Sequence, residues 1–368
     1  MALFIKQTDP RTLLPTVSAR PWQHTAAKIL LAALLLCAAA VVAFNYQAAA
    51  DRARAMRWPM PGQLISTGAG RLHMHCSGHG NPVMLLEADM GGWSQDWALI
   101  QAPLARGGRV CSYDRAGSGW SDDDTGRRNG RSMVAGLRTA LANGAIGPPY
   151  ILVGHGMGGL LVSLYARSYP ADVAGLALLD AISPTYADQF APGDYATIQA
   201  LTTSRLRFAG VLAPFGIPQT LGQPANLIAA RLPPAERDSA LDLARMLRQY
   251  HTLAREHDAF DGVLDEVRNA GPLPAVPTLV LAGSVMRDYP VGLDDTMRAV
   301  WYCSQDSIAA EAGVPLTELP DTGHYLQIER PDAVIAALAH LRATVVGPAA
   351  PSRSGSIDAL YLAPASPR

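Results

Sequence analysis

The chain has 368 residues, a formal net charge of −1 and 49% hydrophobic residues. This length can hold one large α/β domain with an insertion. The balanced charge, without a long basic run, excludes nucleic acid as an expected partner. None of the cysteines has CxxC or zinc-ligand spacing, and they allow at most one disulfide, among the last three, if the domain is exported. These cysteines are Cys37, Cys76, Cys111 and Cys303.

The N-terminal region contains a candidate membrane segment. Residues 1–28 are polar and mildly basic, and residues 29–44 are an unbroken apolar run that residues 45–50 could extend to bilayer length. Two interpretations stay open: a signal-anchor helix over 29–50, or a signal peptide cut after Ala50. Basic residues lie on both sides of the run, so charge decides orientation only weakly. We favour a single-pass anchor with the main domain extracytoplasmic; secretion after cleavage is the alternative.

The folded domain is predicted to begin near residue 60 with a hairpin. Gln63–Ser66 and Arg71–Cys76 are strand-like and flank a glycine turn at residues 68–70. His73 and His75 alternate along the second strand and therefore face the same side, with His79 close by. A metal site there lacks a clear fourth ligand, so we predict ordinary strand histidines and no metal.

Strands and helices then alternate, which indicates a parallel sheet covered on both faces. The pattern breaks over residues 183–271, where prolines separate helical pieces and predict a cap inserted over the sheet. The best of these pieces starts at Pro234, and Leu243, Leu247, Tyr250 and Ala254 lie on one stripe. Strand patterns resume at residues 277–282 and 316–319, and a closing helix covers 332–344. Residues 348–368 are rich in Pro, Ala and Ser, which predicts a disordered tail.

A β-prone run, residues 150–153, leads directly into a glycine cluster and then into a helical apolar pattern. Such a sharp strand-to-helix turn needs small residues on either side of its tip. The spacing Gly154-x-x-x-Gly158 is present, but the tip residue is Gly156, which offers no nucleophile. Gly154-x-Gly156-x-x-Gly159 also matches a dinucleotide pattern by spacing alone, with Asp180 at a suitable distance. The rest of the chain does not support that alternative.

With these motifs in order, the chain resembles α/β-hydrolase-fold proteins of the capped esterase, lipase and epoxide-hydrolase-like group. Four blocks carry the resemblance: residues 85–97, Tyr113 to Ser121 (YDRAGSGWS), residues 153–159, and Thr322-Gly323-His324-Tyr325 through Pro331. The resemblance implies an α/β-hydrolase core formed by residues 60–182 and 272–347, with 183–271 as the cap. It implies no cofactor.

The same resemblance assigns the site residues. The nucleophile position is Gly156, so the serine is missing, and the general base is His324. The orienting acid follows the penultimate strand, where Asp288 is the best candidate; Asp294, Asp295 and Asp180 remain possible. The oxyanion donors are the backbone N–H groups of Met157 and Met90. Asp89 stands where the family has glycine, and its carboxylate would oppose an oxyanion if it pointed inward.

The expected function is therefore a hydrolase of carboxylic esters or similar acyl substrates whose activity is lost or greatly reduced. Loss of the nucleophile costs about 10⁶-fold in turnover in a serine triad enzyme. Replacement by Ser94, Ser118, Ser121 or an activated water is less favoured. The alternatives are a pseudoenzyme that binds a ligand or partner, and His–Asp base catalysis without a covalent intermediate. The apolar cap and the membrane segment favour small hydrophobic ester-like ligands.

Overall fold

The computed structural model describes residues 21–123, 126–222, 231–285 and 295–347. Its centre is an eight-stranded sheet with the order β1-β2-β4-β3-β5-β6-β7-β8. The strands are Gln63–Ser66 (β1), Arg71–Ser77 (β2), Val83–Glu87 (β3), Val110–Tyr113 (β4), Tyr150–His155 (β5), Val173–Leu179 (β6), Thr278–Gly283 (β7) and Leu316–Leu319 (β8). The first two pair antiparallel, β2 also pairs antiparallel with β4, and the remaining neighbours are parallel. The parallel sheet and the N-terminal hairpin were predicted correctly.

The helices begin with α1, which covers Pro21–Arg57. The others are Ala98–Ala105 (α2), Gly130–Asn143 (α3), Met157–Ser168 (α4), Asp194–Leu212 (α5), Ile217–Thr220 (α6), Pro234–Ala244 (α7), Leu247–Arg268 (α8), Asp295–Ala312 (α9), Leu326–Glu329 (α10) and Pro331–Val346 (α11). Short 3₁₀ helices lie at Ser94–Trp97, Pro170–Asp172, Tyr186–Gln189 and Ala213–Phe215.

The sheet is buried on both faces, as a parallel sheet requires. Alternate residues of β5 belong to different cores: Leu152 packs with residues of α3, α4 and α8, whereas Ile151 and Val153 pack with residues of α2 and α11. The apolar run of β5 therefore lies in the middle of the molecule and ends at the strand-to-helix turn at Gly156, which we call the elbow. This burial fixes the position of the turn that follows it.

The predicted cap, residues 183–271, contains α5 to α8, and α8 packs on α3 and α4. The prediction of one helical stripe starting at Pro234 was wrong. The helix ends at Ala244, Met246 adopts an extended conformation (φ −69°, ψ 141°), and α8 starts at Leu247. Because the break turns the chain, Leu243 and Tyr250 pack in different apolar clusters.

A disulfide joins neighbouring strands of the sheet. Cys76 and Cys111 are register partners on β2 and β4 and form the bridge, while Cys37 and Cys303 are free and exposed. The structure thus contains the single bridge that the sequence allowed among its last three cysteines.

The N-terminal helix α1 is long and apolar enough to cross a membrane over His24–Arg57. Length and composition suit a membrane span or a signal sequence equally, and the predicted segment 29–50 lies within it. Most of the predicted polar segment 1–28 and the whole predicted tail 348–368 lie outside the described residues.

Candidate active site

The elbow has the strained backbone that its sequence predicts. β5 ends at His155, Gly156 has φ 53° and ψ −122°, and α4 starts at Met157. A Cβ on Gly154 would lie 2.5 Å from the carbonyl oxygen of Gly158, and one on Gly158 would lie 2.5 Å from the carbonyl oxygens of residues 87 and 88. The glycines therefore allow β3, β5 and α4 to approach closely, and the turn keeps its shape without a serine.

His324 is oriented by a carboxylate, as the resemblance implies. Its Nδ1 lies 2.7 Å from Oδ2 of Asp180, which follows β6 directly in a left-handed conformation with φ 43°. The other oxygen of Asp180 accepts hydrogen bonds from the backbone N–H of Gly283, at 3.1 Å, and from the indole of Trp301, at 3.3 Å. Asp180 is thereby fixed between the ends of β6 and β7.

Asp180 was one of the alternatives for the acid, and Asp288 was preferred. Asp288 and Asp294 lie outside the described residues, and Asp295 is the first residue of α9. The carboxylate beside His324 Nδ1 belongs to Asp180, which follows the neighbouring strand β6 instead of β7. The spacing after β7 is longer than is usual in the family, and this length is the reason that the sequence leaves Asp180 open as an alternative to Asp288.

Asp89 points into the site. Its Oδ1 accepts the backbone N–H of Met157 at 2.6 Å, and its Oδ2 lies 3.0 Å from Nε2 of His324. The predicted oxyanion donor of residue 157 is thus already used by a carboxylate of the same chain. Met90, the source of the second predicted donor, follows in the same loop and packs against the main core.

The pKa values of Asp89 and His324 depend on each other. Burial alone would lower the pKa of His324, but hydrogen bonds and charge from Asp180 and Asp89 outweigh it and raise the pKa to about 10. Burial alone would raise the pKa of Asp89, but the hydrogen bond and charge of His324 hold it well below its usual range. The raised pKa favours the protonated form of His324 at neutral pH, and a protonated imidazole has no free lone pair to act as a base.

His155 packs against this ion pair as a neutral ring. Its ring centroid lies 4.4 Å from that of His324, and its Nε2 lies 2.8 Å from the carbonyl oxygen of the same residue. Burial, together with the charge of His324, lowers the pKa of His155 to about 4. No sequence pattern singles out His155 within the elbow, because its contacts depend on the distant residue His324.

Asp89, His155 and His324 could each offer a ligand atom to a metal ion, and these atoms lie within 4.8 Å of one another. The ring nitrogens already have other partners: carboxylates at His324, and a carbonyl oxygen and the Gln327 amide at His155. The expectation that the site uses no metal stays a prediction.

The loop that carries Asp89 is held by buried charges. Arg115 donates to the carbonyl oxygens of Ala88, at 2.7 Å, and Asp89, at 2.6 Å, and it pairs with Glu87 and Glu256. Glu256 lies on the cap helix α8 and accepts the backbone N–H of residue 91 at 2.7 Å. The cap therefore fixes the position of the Asp89 carboxylate, a role for Arg115 and Glu256 that the sequence did not predict.

Two of the alternative serines, Ser94 and Ser121, belong to a second buried network around Asp114. The Asp114 carboxylate lies 2.8 Å from Nδ1 of His73 and accepts the backbone N–H of Ser94 at 2.8 Å. The hydroxyl of Ser121 donates to the backbone carbonyl oxygen of Asp114. Ser118 is also fully buried. His73 Nε2 contacts the carbonyl oxygen of Pro61, so both ring nitrogens of this histidine have protein partners. The expectation of no metal at the strand histidines stays a prediction.

The sheet order, the elbow after β5 and the histidine after the last strand define the class of protein. The chain belongs to the alpha/beta hydrolase family, whose model matches residues 72–337. The epoxide hydrolase-like and esterase-like resemblance is thus confirmed at the level of the family and fold.

Similar proteins agree with this assignment. An uncharacterized Schizosaccharomyces pombe protein is 32% identical over 150 residues, which are 39% of this chain but only 25% of that protein. A Klebsiella pneumoniae protein with the provisional name carbamate hydrolase RutD is 28% identical over 69% of this chain and 88% of its own length. The structure of an enol-lactonase from Burkholderia xenovorans has a TM-score of 0.52 and 20% identity, and the match covers 76% of this chain and 100% of that one.

Proposed function

We propose that this α/β-hydrolase family protein has lost, or retains only in trace, the hydrolysis of carboxylic esters through an acyl-enzyme, because its own Asp89 carboxylate fills the reaction centre. One observation carries the proposal: Asp89 contacts both Met157 N–H and His324 Nε2. In a serine hydrolase these groups serve the oxyanion and the nucleophile. An ester carbonyl would have to displace an ionised, hydrogen-bonded carboxylate to reach them.

A four-protein comparison tests this proposal: the wild type, Gly156→Ser, Asp89→Gly and the double variant. Each single variant keeps one obstacle. Gly156→Ser still has the Asp89 carboxylate in the site, and Asp89→Gly still has no nucleophile. We expect the wild type and both single variants to hydrolyse a short activated ester poorly. The double variant should be faster by about 10³-fold or more, because it regains both a nucleophile and a free N–H donor.

A fluorophosphonate probe gives the matching covalent readout, and His324→Ala in the double variant is the control that should abolish it. Labelling of the wild-type chain at ordinary enzymatic speed, with His324 required, would overturn the proposal. Equal activity of Gly156→Ser and the double variant would show that Asp89 is no obstacle.

A second candidate reaction, the opening of an epoxide, is favoured by the accessibility and charge of Asp89. Its side chain is 19% exposed, and the neighbouring His324 lowers the pKa of this carboxyl group. The carboxylate could open an epoxide: one Asp89 oxygen bonds to carbon, the ring C–O bond breaks, and His324 gives its proton to the alkoxide. Esterified Asp89 is neutral, so His324 then accepts a proton from water as that water attacks the ester carbonyl carbon. The bond between the carbonyl carbon and the diol oxygen then breaks, and the leaving alkoxide takes the proton of the new carboxylic acid. The products are the diol, an ionised Asp89 and a protonated His324.

Isotope labelling tests this reaction. A single turnover of styrene oxide in ¹⁸O-water should place ¹⁸O in the peptide that contains Asp89, and Asp89→Asn should not turn over. Unlabelled Asp89 after diol formation would contradict the step. Simple His–Asp base catalysis is less favoured, since His324 is paired on both nitrogens, and a ligand-binding role remains the alternative if neither reaction occurs.

For location, we propose a single-pass membrane anchor in α1 with the main domain extracytoplasmic. The Cys76–Cys111 bridge supports this placement, because disulfides persist in oxidising compartments. Small hydrophobic molecules are the ligands expected for such a protein.

A further inference from the structure

The cap presents an apolar face to its surroundings. Leu201, Phe208, Val211 and Phe215 are 68%, 65%, 65% and 40% exposed. Their spacing places the first three on one side of α5, and Phe215 is the last residue of the next short helix. Ile217 and Leu221 follow at 40% and 67% exposure. Contiguous exposed apolar side chains of this kind mark an interaction surface.

This face adjoins the N-terminal helix. α1 packs on the short helix Ala213–Phe215, and a Cβ on Gly216 would lie 3.3 Å from Oε1 of Gln47. Gln47 is only 4% exposed. Further along α1, Asp51 accepts the backbone N–H of Leu247 at 2.7 Å. The cap is therefore joined to α1 at residues 47–51.

The contact lies where the apolar part of α1 ends. The unbroken apolar run of α1 ends at Phe44, and Gln47 is three residues later, about 4.5 Å along the helix axis. Tyr46, between them, is 73% exposed, and aromatic residues of this type concentrate at membrane–water boundaries. If α1 crosses a bilayer, the cap meets it at the bilayer surface.

We propose that the exposed face of α5, Phe215 and α6 inserts into the interfacial layer of the same bilayer that α1 crosses. The occupant is lipid, because the face adjoins a helix whose length and composition suit a bilayer, at the point where the apolar run of that helix ends. This proposal rests on the membrane-anchor part of the proposed function. It adds that the cap, which holds the Asp89 loop through Glu256, is itself bound to the membrane.

Site-directed fluorescence in proteoliposomes tests it on the full chain. Cys37 and Cys303 are replaced by serine, and single cysteines at Phe208, Val211, Leu35 and Thr139 are labelled with an environment-sensitive dye. Thr139 is an exposed position on the core helix α3 and serves as the control. We expect blue-shifted emission and a loss of intensity with spin-labelled lipid at Phe208, Val211 and Leu35, and neither at Thr139.

The four positions separate the possible failures. No lipid quenching at Leu35 would overturn the anchor and with it this proposal. Quenching at Leu35 but none at Phe208 or Val211 would overturn the cap contact alone. A blue shift at Phe208 that lipid does not quench, together with disulfide cross-links between copies, would assign the face to a second copy of the chain and also overturn the proposal.

Discussion

Asp89 occupies the space that a side chain at residue 156 would need. An ideal Cβ built on Gly156 would lie 2.0 Å from Oδ1 of Asp89 and 2.2 Å from its Cγ. The two unusual residues of the site, one on the loop after β3 and one at the elbow, are thus sterically linked. A carboxylate can enter the site because residue 156 has no side chain.

The first prediction concerns this link. Gly156→Ala should lower the free energy of unfolding by about 1–3 kcal/mol, because a positive φ strains any residue with a Cβ. The contact with Asp89 adds to this loss. Thermal and denaturant unfolding in detergent would measure it.

A matched glycine supplies the control. Gly136 lies inside α3 with no atom within 4 Å of an added Cβ, so Gly136→Ala should be neutral or stabilising by up to about 1 kcal/mol. In an Asp89→Gly background the cost of Gly156→Ala should shrink but not vanish, since the backbone strain remains. An unchanged cost in that background would contradict the steric link.

The fold was predictable from sequence because its signals are local. Residues 150–153 and the glycines after them predict a buried strand and a tight turn. The order of the motifs along the chain then predicts the α/β-hydrolase fold. His324 was predictable for the same reason, as it follows the last strand within a recognisable block.

The site's charges were not predictable, because they depend on contacts between distant segments. Asp89 and His324 are 235 residues apart in the chain and meet only in the folded protein. No sequence pattern distinguishes Asp180 from the acidic residues that follow β7 as the partner of His324. Glu256 is one acidic residue among several on α8, and only the packing of that helix brings it to Arg115. Sequence patterns specify which face is buried, not which charges meet there.

The second prediction is a pH dependence of stability. The folded pKa of His324, about 10, exceeds its ordinary value of 6.5, so its contribution is complete below pH 6.5 and is lost as pH rises toward 10. The pKa of Asp89 is lowered from 3.8, so its contribution is present above that pH and is lost on acidification. Melting temperatures across this range should therefore decline on both sides.

Asp89→Asn is the informative variant for this pH effect. It removes one of the carboxylates that raise the pKa of His324, so the alkaline decline should end at a lower pH and be smaller in total than in the wild type. NMR titration of the imidazole provides a direct reading. A His324 that titrates near 6.5 in the folded wild type would refute the ion pair.

The third prediction concerns the charges under the Asp89 loop. Arg115 and Glu256 have side chains that are 3% and 0% exposed, so removing one partner leaves a buried charge. Glu256→Gln should therefore destabilise the chain by about 3–5 kcal/mol. The surface pair Arg71–Asp122, with side chains 55% and 37% exposed, is the control, and Asp122→Asn should cost less than about 1 kcal/mol. Similar effects of both variants would contradict a structural role for the buried network.

The last prediction concerns the bridge between β2 and β4. Cys76 and Cys111 are separated by 35 residues, and releasing this loop in the unfolded chain should cost about 2–4 kcal/mol of stability in a double serine variant. Denatured, unreduced protein should expose only the thiols of Cys37 and Cys303 to a maleimide, and reduction should add the other pair.

In intact cells a membrane-impermeant maleimide should label exposed Cys303 if the domain is extracytoplasmic, and Cys303→Ser should remove the label. Labelling of Cys303 only after lysis would place the domain on the cytoplasmic side, where a reducing environment would oppose the bridge.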